Sequence, residues 1–351
     1  MREDLKKWRN NRPSSRILKL NRWKTNPVGA FVRLLEFAYF GQPIVSFFVG
    51  KAGNLESITH LGKSINTSDS NENLNYLNNV RVDLRTNFIQ LDTGHVLNSG
   101  MLPNEIYSGQ YWNQIRDIRK SKVKESLPGV FYPVANQKYF FHFLLEEFPE
   151  ILSANQTIQD INFISLESQP KFVMELCEMA GVRLQILEKN VQFCEKLVTP
   201  TYLRANSMWS LGQLKALRTS TIIDEFYPRK ILLLRKGQTR SDVDFEESLT
   251  NFLAPFGFQV FDPENFSSSE QINIFSNATE IVAIHGAALS NLAFSNSCCK
   301  VFEIFSHPYR TYFFRELAKI NGNPYVSAEI DSVYSGLENW LNHPVVKKVD
   351  L

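Results

Sequence analysis

The stretch "EIVAIHGAALSNLAFSNSCCKVFEIF", residues 280–305, decides the fold. The apolar run Ile281–Ile284 reads as a buried strand that hands over to His285 and Gly286. Small residues then open a short helix, and "KVFEIF" returns as another strand. Strand, turn, helix and strand in this order make a β/α unit, which predicts a parallel sheet. The same rhythm continues on both sides. Upstream, "KILLLR" (230–235) is a strand, "VDFEESLTNFLAPFG" a helix ending at Gly257, "FQVFD" a strand, and "SSEQINIFSNA" a helix with Ser267 three residues before Glu270, a capping pattern. Downstream, "YRTYFFRELAKING" reads as a helix and "PYVSAEI" as a closing strand. The tail "SGLENWLN" places Leu337, Trp340 and Leu341 at helical spacing.

An earlier series has the same form. "GVFYPVA" (129–135) ends a strand, "YFFHFLLEEFPEILSA" (139–154) is a helix, "INFISL" a strand, "PKFVMELCEMAGV" a helix ended by Gly181, and "RLQILE" a strand. The pattern loosens near 205–228, with a helix expected over about 211–226. Residues 54–128 are polar and rich in Asn and Ser, with short alternating runs such as "RVDLRTNFIQL" (81–91), and read as strands and loops in an irregular lobe. There is no fixed-period repeat and no low-complexity tract.

The 351 residues suffice for two domains with cores of their own. Hydrophobic content of 43% and charged content of 21% fit a soluble globular protein rather than a disordered chain. A net charge of +2 is too small to mark a nucleic-acid binder, so no nucleic-acid partner is expected. The charge is nevertheless uneven: residues 1–33 carry ten Lys or Arg against Glu3 and Asp4. The apolar stretch behind them, residues 27–50, is interrupted by Arg33, Glu36, Gln42 and Pro43. It lacks the ~18 clean apolar residues of a membrane span, and the pattern of a signal peptide is also missing. A basic segment beside a half-apolar helix fits either the surface of an anionic membrane or simple packing on the core through Phe31, Leu34, Leu35 and Ala38. The expected location is therefore cytoplasmic, with peripheral contact at the inner face of the membrane through residues 1–50. Cys177, Cys194, Cys298 and Cys299 form no CxxC pair and read as thiols of a reducing compartment.

The junction at His285 carries the chemistry. A strand that runs through a glycine into a helix leaves N–H groups at the carboxyl edge of the sheet, where open α/β sheets bind ligands. Such N–H groups attract phosphate, and Gly286 lets a ligand approach the backbone. His285 either donates to a phosphate or sugar oxygen or bonds a neighbouring carbonyl. Arg235 ends the first strand of the second half and Arg240 follows in its loop; two guanidinium groups at one edge suit a diphosphate, though a solvated loop accounts for one of them alone. Glu303, in the strand "KVFEIF", either accepts the hydroxyls of a ribose or pairs with an Arg. In the first half, His142 and Glu146 stand at i and i+4 on one helix face. They are either a proton acceptor for an acceptor hydroxyl or a surface ion pair. The triplet Asp242-Val243-Asp244 resembles a metal-binding DxD. However, Asp244 lies three residues before Glu247 at a helix start, which reads as a cap. With no Cys/His ligand cluster, no metal and no cofactor are expected. GxGxxG after a strand, GxxxxGK[ST], GxSxG and HExxH are all missing, which removes the dinucleotide, P-loop, serine-hydrolase and zincin classes.

Taken together, Arg235, Arg240, Gly257–Pro263, Glu270–Phe275, Ala278, His285–Leu289, Asn291 and Glu303 resemble the signature region of family 61 glycosyltransferases, which include capsular-polysaccharide biosynthesis proteins. "HFLLEEFPEIL" is similar to the earlier His-x-x-x-acid-x-x-Pro stretch of that family, with His142, Glu146 (Asp in the usual pattern) and Pro149 in place. The second-half loop has "VDFEE" where the family commonly has an Asn-Glu pair. The resemblance covers about 140–305 and implies a GT-B fold, two Rossmann-like domains facing a cleft. It also implies an inverting, metal-independent transfer from a nucleotide-activated sugar, most often a uridine diphosphate sugar, to a glycan or lipid-linked glycan of a surface polysaccharide. On that basis the donor lies with Arg235, Arg240, His285, Gly286, Ala287, Ala288, Asn291 and Glu303, and Glu146, assisted or replaced by His142, takes the proton. The expected division is an N-terminal segment (1–53), an acceptor-side domain (54–210, Rossmann-like from 129), a nucleotide-sugar domain (211–328) and a helical tail (329–351). The rival reading is a non-catalytic GT-B-like subunit that binds sugar or nucleotide within a polysaccharide assembly complex.

Overall fold

The computed structural model describes residues 64–66, 73–85, 87–91, 96–98, 117–134, 139–166, 169–200, 211–217, 227–235, 242–305 and 311–342. The N-terminal segment 1–53, with its expected membrane contact, most of the loosened stretch near 205–228, and Arg240 lie outside the described residues.

Two sheets organise the rest. The first holds β1 (Ser64–Asn66), β2 (Asn73–Asp83), β3 (Phe88–Gln90), β4 (Val96–Asn98), β5 (Ser126–Pro133), β6 (Ile161–Leu166), β7 (Leu184–Leu187) and β8 (Val191–Pro200). Its order is β4-β3-β2-β8-β5-β6-β7, with β1 beside β2. β8, β5, β6 and β7 pair in parallel, while β2 joins β8 and β3 antiparallel. The strands expected around 81–91 are thus not a lobe apart. Leu77, Val80 and Val82 are buried in one cluster with Cys194 and Leu197, and this apolar seam draws the antiparallel strands onto the Rossmann-like part.

Between β5 and β6 the chain passes through a helical turn (Phe140–His142), a π-helical turn (Phe143–Glu147) and α1 (Phe148–Thr157) without interruption. α2 (Lys171–Met179) follows β6 and stops at Gly181, whose φ of 67° an L side chain would strain. The helix expected over 211–226 is described only as α3 (Leu211–Ala216).

The second sheet contains β9 (Lys230–Leu233), β10 (Gln259–Phe261), β11 (Glu280–Ile284), β12 (Lys300–Phe305) and β13 (Tyr325–Glu329). All its pairs are parallel, in the order β10-β9-β11-β12-β13. The central strands are apolar without alternation because both faces are covered. Ile281 and Ala283 join one buried cluster, Val282 and Ile284 another. Helices α4 (Val243–Leu253), α5 (Ser268–Asn277), α6 (Phe313–Asn321) and α7 (Val333–Asn342) connect or flank these strands. The cap of α4 corrects the sequence reading: Asp242 accepts from the Phe245 N–H at 3.1 Å, so Asp242 and not Asp244 starts the helix. At α5 the expected capping box is present, with Ser267 and Glu270 bonding reciprocally. The segment after β11 is a 3-10 helix (Ala287–Phe294) rather than an α-helix.

One buried cluster runs from Tyr132, Phe143 and Phe163 in the first half to Ile231, Phe275 and Phe294 in the second, so the two α/β halves share apolar packing. Among the described residues, no helix is long and apolar enough to cross a membrane.

Candidate functional site

The order of the second sheet fixes where a ligand can sit. From β9 the chain moves outward to β10, then crosses back to β11 and continues the other way. The strand order therefore reverses between β9 and β11, and a crevice opens at their carboxyl ends. The residues there are Leu234 and Arg235 after β9, and His285 and Gly286 after β11. Arg235 spans this point: its Nη1 donates to the His285 carbonyl at 2.5 Å. A Cβ on Gly286 would stand 3.1 Å from that same Nη1, so any larger residue there would push the guanidinium aside by a few tenths of an ångström. Its φ of −178° suits any residue. The 3-10 helix begins directly after it, which leaves the N–H groups of Ala287 and Ala288 at the crevice.

A cavity of about 490 Å³ lies beside this junction. Arg235, Gly286, Ala287 and Ala288 form one wall. Phe261, Asp262, Pro263, Glu264 and Phe266 at the end of β10 form another, with Gln271 from α5. The first half closes it with Tyr139, Phe140, Lys171, Phe172 and Glu175. Sequence reading did not find the β10 end or the α2 residues. The β10 end was in principle accessible, since the strand next to β9 must bring its own carboxyl end to the crevice. The α2 contribution depends on contact between the halves. There Glu175 Oε2 accepts both the N–H (2.8 Å) and the hydroxyl (2.7 Å) of Ser268 at the start of α5, and Lys171 pairs with Glu175 at 3.5 Å.

The other expected residues divide. Asn291 is buried and donates to Gln271 Oε1 at 3.0 Å, holding a cavity-wall residue from behind. Glu303 is fully buried. Its Oε1 lies 2.5 Å from His285 Nδ1, and its Oε2 accepts the Tyr325 hydroxyl. It faces the ring of His285, and a ribose has no surface of it to touch. The Tyr325 phenol is held well above its ordinary range, first by burial and then by the Glu303 charge.

In the first half, His142 Nδ1 and Glu146 Oε2 are 2.8 Å apart. Glu146 is buried and His142 is the more exposed partner, with 28% of its side chain accessible. Two further carboxylates, Glu147 and Glu150, are buried on the same segment, and Glu150 accepts from the Tyr132 hydroxyl at 3.1 Å. Burial, followed by the Glu147 charge, pushes the Cys177 thiol up to about 12. A π-helical turn carrying such groups fits the frequent placement of these turns at functional sites. Ring contacts link the two histidines: His142 edge-on to Phe141 at 5.1 Å, Phe141 edge-on to Phe314 at 5.7 Å, and Phe314 tilted against His285 at 5.4 Å. The fold thus brings His142, Glu146, His285 and Glu303 to one side of the sheet, and Arg235 with Gly286–Ala288 to the adjoining cavity. Among the described residues no three His, Cys, Asp or Glu side chains are grouped to hold a metal ion.

The model of the family described as Glycosyltransferase 61 matches residues 140–302. Over this stretch the chain is similar to glycosyltransferase family 61. The matched span runs from the start of the His142 helix to β12, and so includes both His–carboxylate pairs except for the last carboxylate, Glu303, which follows its final residue. Comparison with curated proteins finds no match. The match supports a glycosyltransferase.

Proposed function

We propose that this glycosyltransferase moves a sugar, with inversion and without a metal, from a nucleotide-activated donor, in first place a uridine diphosphate sugar, to a glycan or lipid-linked glycan acceptor in surface polysaccharide biosynthesis. The observation that carries the reading is Arg235, laid across the strand-order reversal beside the Gly286–Ala288 backbone and a cavity large enough for a nucleotide. A diphosphate placed there meets a guanidinium and outward N–H groups, which offset the charge that grows on the leaving group. The aromatic wall of Phe261 and Phe266 suits a base, and Asp262 and Glu264 stand where a ribose would follow. Glu303 then serves to hold His285 instead of binding the ribose. The pairing of His142 with a buried Glu146 supports His142 as the proton acceptor and Glu146 as its orienting partner. The two α/β halves act as the two domains of a GT-B enzyme, divided near 210, with acceptor recognition assigned to the first. Contact of the basic residues 1–50 with an anionic membrane would bring the enzyme to lipid-linked acceptors.

A calorimetric titration with a panel of nucleoside diphosphates tests the donor site. UDP should bind best, and Arg235→Ala should weaken it by about 10-fold or more, the worth of one hydrogen bond to a charged group. Unchanged affinity in that variant would remove the diphosphate from this position. Hydrolysis of a bound UDP-sugar separates an enzyme from a binding subunit, which would leave the donor intact.

A further inference from the structure

Three polar side chains lie diagonally across the second sheet. Ala283, Glu303 and Ser327 are level on β11, β12 and β13. Side chains alternate along a strand, so His285, two residues beyond Ala283, and Tyr325, two before Ser327, share the face of Glu303. Long side chains reach between diagonal neighbours of this kind. Glu303 lies between the two, bonded to His285 Nδ1 at 2.5 Å and to the Tyr325 hydroxyl. On the far side of the ring, Thr311 Oγ1 is 3.4 Å from Nε2. Phe305 stacks on the imidazole at 5.1 Å and Phe314 lies at 5.4 Å, which fixes its plane.

A carboxylate without exposed surface costs folding free energy unless donors satisfy it. The phenol gives one donor. Its proton stays on oxygen at neutral pH, because burial and the neighbouring charge oppose its loss. An ionised carboxylate only accepts, so its bond to Nδ1 requires a proton on Nδ1. In a neutral ring the other nitrogen is then the acceptor.

We propose that Tyr325 is a positioning residue of the transfer site: acting through Glu303, it holds His285 in the Nδ1–H form, so that Nε2 is the ring atom offered to the substrate. The proposal rests on the function proposed above and on the position of His285 directly before the cavity-wall residues Gly286–Ala288; the ring itself stands beside that wall, against Phe305, Phe314 and Thr311. The His285 carbonyl also takes Arg235, so one backbone position aims both the ring and the guanidinium. His285 therefore acts on a phosphate oxygen as a donor only after Nε2 has gained a proton, and on a hydroxyl as an acceptor before that.

The test is a long-range 15N–1H correlation spectrum of the histidine rings in the full chain, near pH 8 and without ligand. Six histidines are present, and His285→Gln identifies the signal. The wild type should show a single Nδ1–H form. Tyr325→Phe and Glu303→Gln should each admit the Nε2–H form, moving the two ring-nitrogen resonances toward each other. Turnover of a UDP-sugar in these variants should fall about 10-fold or more, the worth of one hydrogen bond to a charged group. A wild-type ring in the Nε2–H form, or variant spectra identical to wild type, overturns the proposal. Should Tyr325→Phe fail to fold, Glu303→Gln decides. UDP is then titrated into the same wild-type sample. No response to UDP overturns the donor reading and leaves the tautomer result standing, whereas a wrong tautomer with normal UDP binding does the reverse.

Discussion

Gly286→Ala asks whether the glycine serves the arginine or the ligand. The backbone there is extended, with φ −178° and ψ 168°, so alanine brings no conformational strain. The added Cβ would lie 3.7 Å from the Ile284 carbonyl oxygen, an ordinary contact, but 3.1 Å from Arg235 Nη1. Relief to ~3.5 Å moves the guanidinium by ~0.4 Å. If it retreats along its bond to the His285 carbonyl, now 2.5 Å, that bond lengthens to about 2.9 Å and survives. The cost then falls on the aim of the guanidinium at the diphosphate: up to about 1 kcal/mol, or about fivefold in the dissociation constant of UDP. Arg235→Ala should cost more, about 1.5–3 kcal/mol, because the charged partner is gone. The double variant should bind as Arg235→Ala alone does, since nothing remains for the new methyl to displace. Calorimetric titration at fixed salt reads all four corners of this cycle. Additive losses would refute the reasoning, for they would mean that the ligand itself packs on the Gly286 Cα.

Further outcomes follow from the same geometry. His142→Ala should lower turnover by about 10²–10⁴-fold. UDP affinity should hold, because His142 is not part of the cavity wall. Glu146→Gln should lower turnover less, and an equal loss would return the proton to Glu146. Ser267→Ala should cost about 1 kcal/mol in urea unfolding by removing the cap of α5. Hydrogen bonds from Ser267 hold the Glu270 carboxyl below its ordinary 4.5, so the box stabilises the fold above that pH and loses its effect as pH falls through the lowered value. The variant should therefore show a flatter decline of melting temperature below about pH 4.5 than the wild type. Burial pushes the Cys177, Cys194 and Cys299 thiols up to about 12, while Cys298 is exposed. Iodoacetamide at pH 8 should thus modify one thiol in the folded chain and four in denaturant, as counted by mass spectrometry.

What could be read from the sequence depended on whether the signal was local. The strands of the second sheet were legible because covered strands are continuous apolar runs, and Gly181 and Gly257 marked helix ends through their backbone requirements. The capping box was legible for the same reason, since its two residues are three apart. Asp242 was passed over in favour of Asp244 because both start a plausible cap, and only the observed bond to Phe245 separates them. Depth was not legible. Glu303 stands in β12 with apolar residues on both sides, and its assignment to a ribose assumed an exposed strand end. Pairing with β13 on one side and β11 on the other encloses it, and its partners come from sequence distances of 18 and 22 residues. The α2 wall of the cavity was still less accessible, since Glu175 meets Ser268 across 93 residues. This difference has a physical origin. A strand reports its own burial through composition, but the register between strands is set by packing around the whole sheet, and a one-residue slip would turn Tyr325 to the opposite face. Such a slip would leave every element of the second sheet recognisable and yet dissolve the His285–Glu303–Tyr325 row, so the chemistry of this chain is carried by register more than by motif.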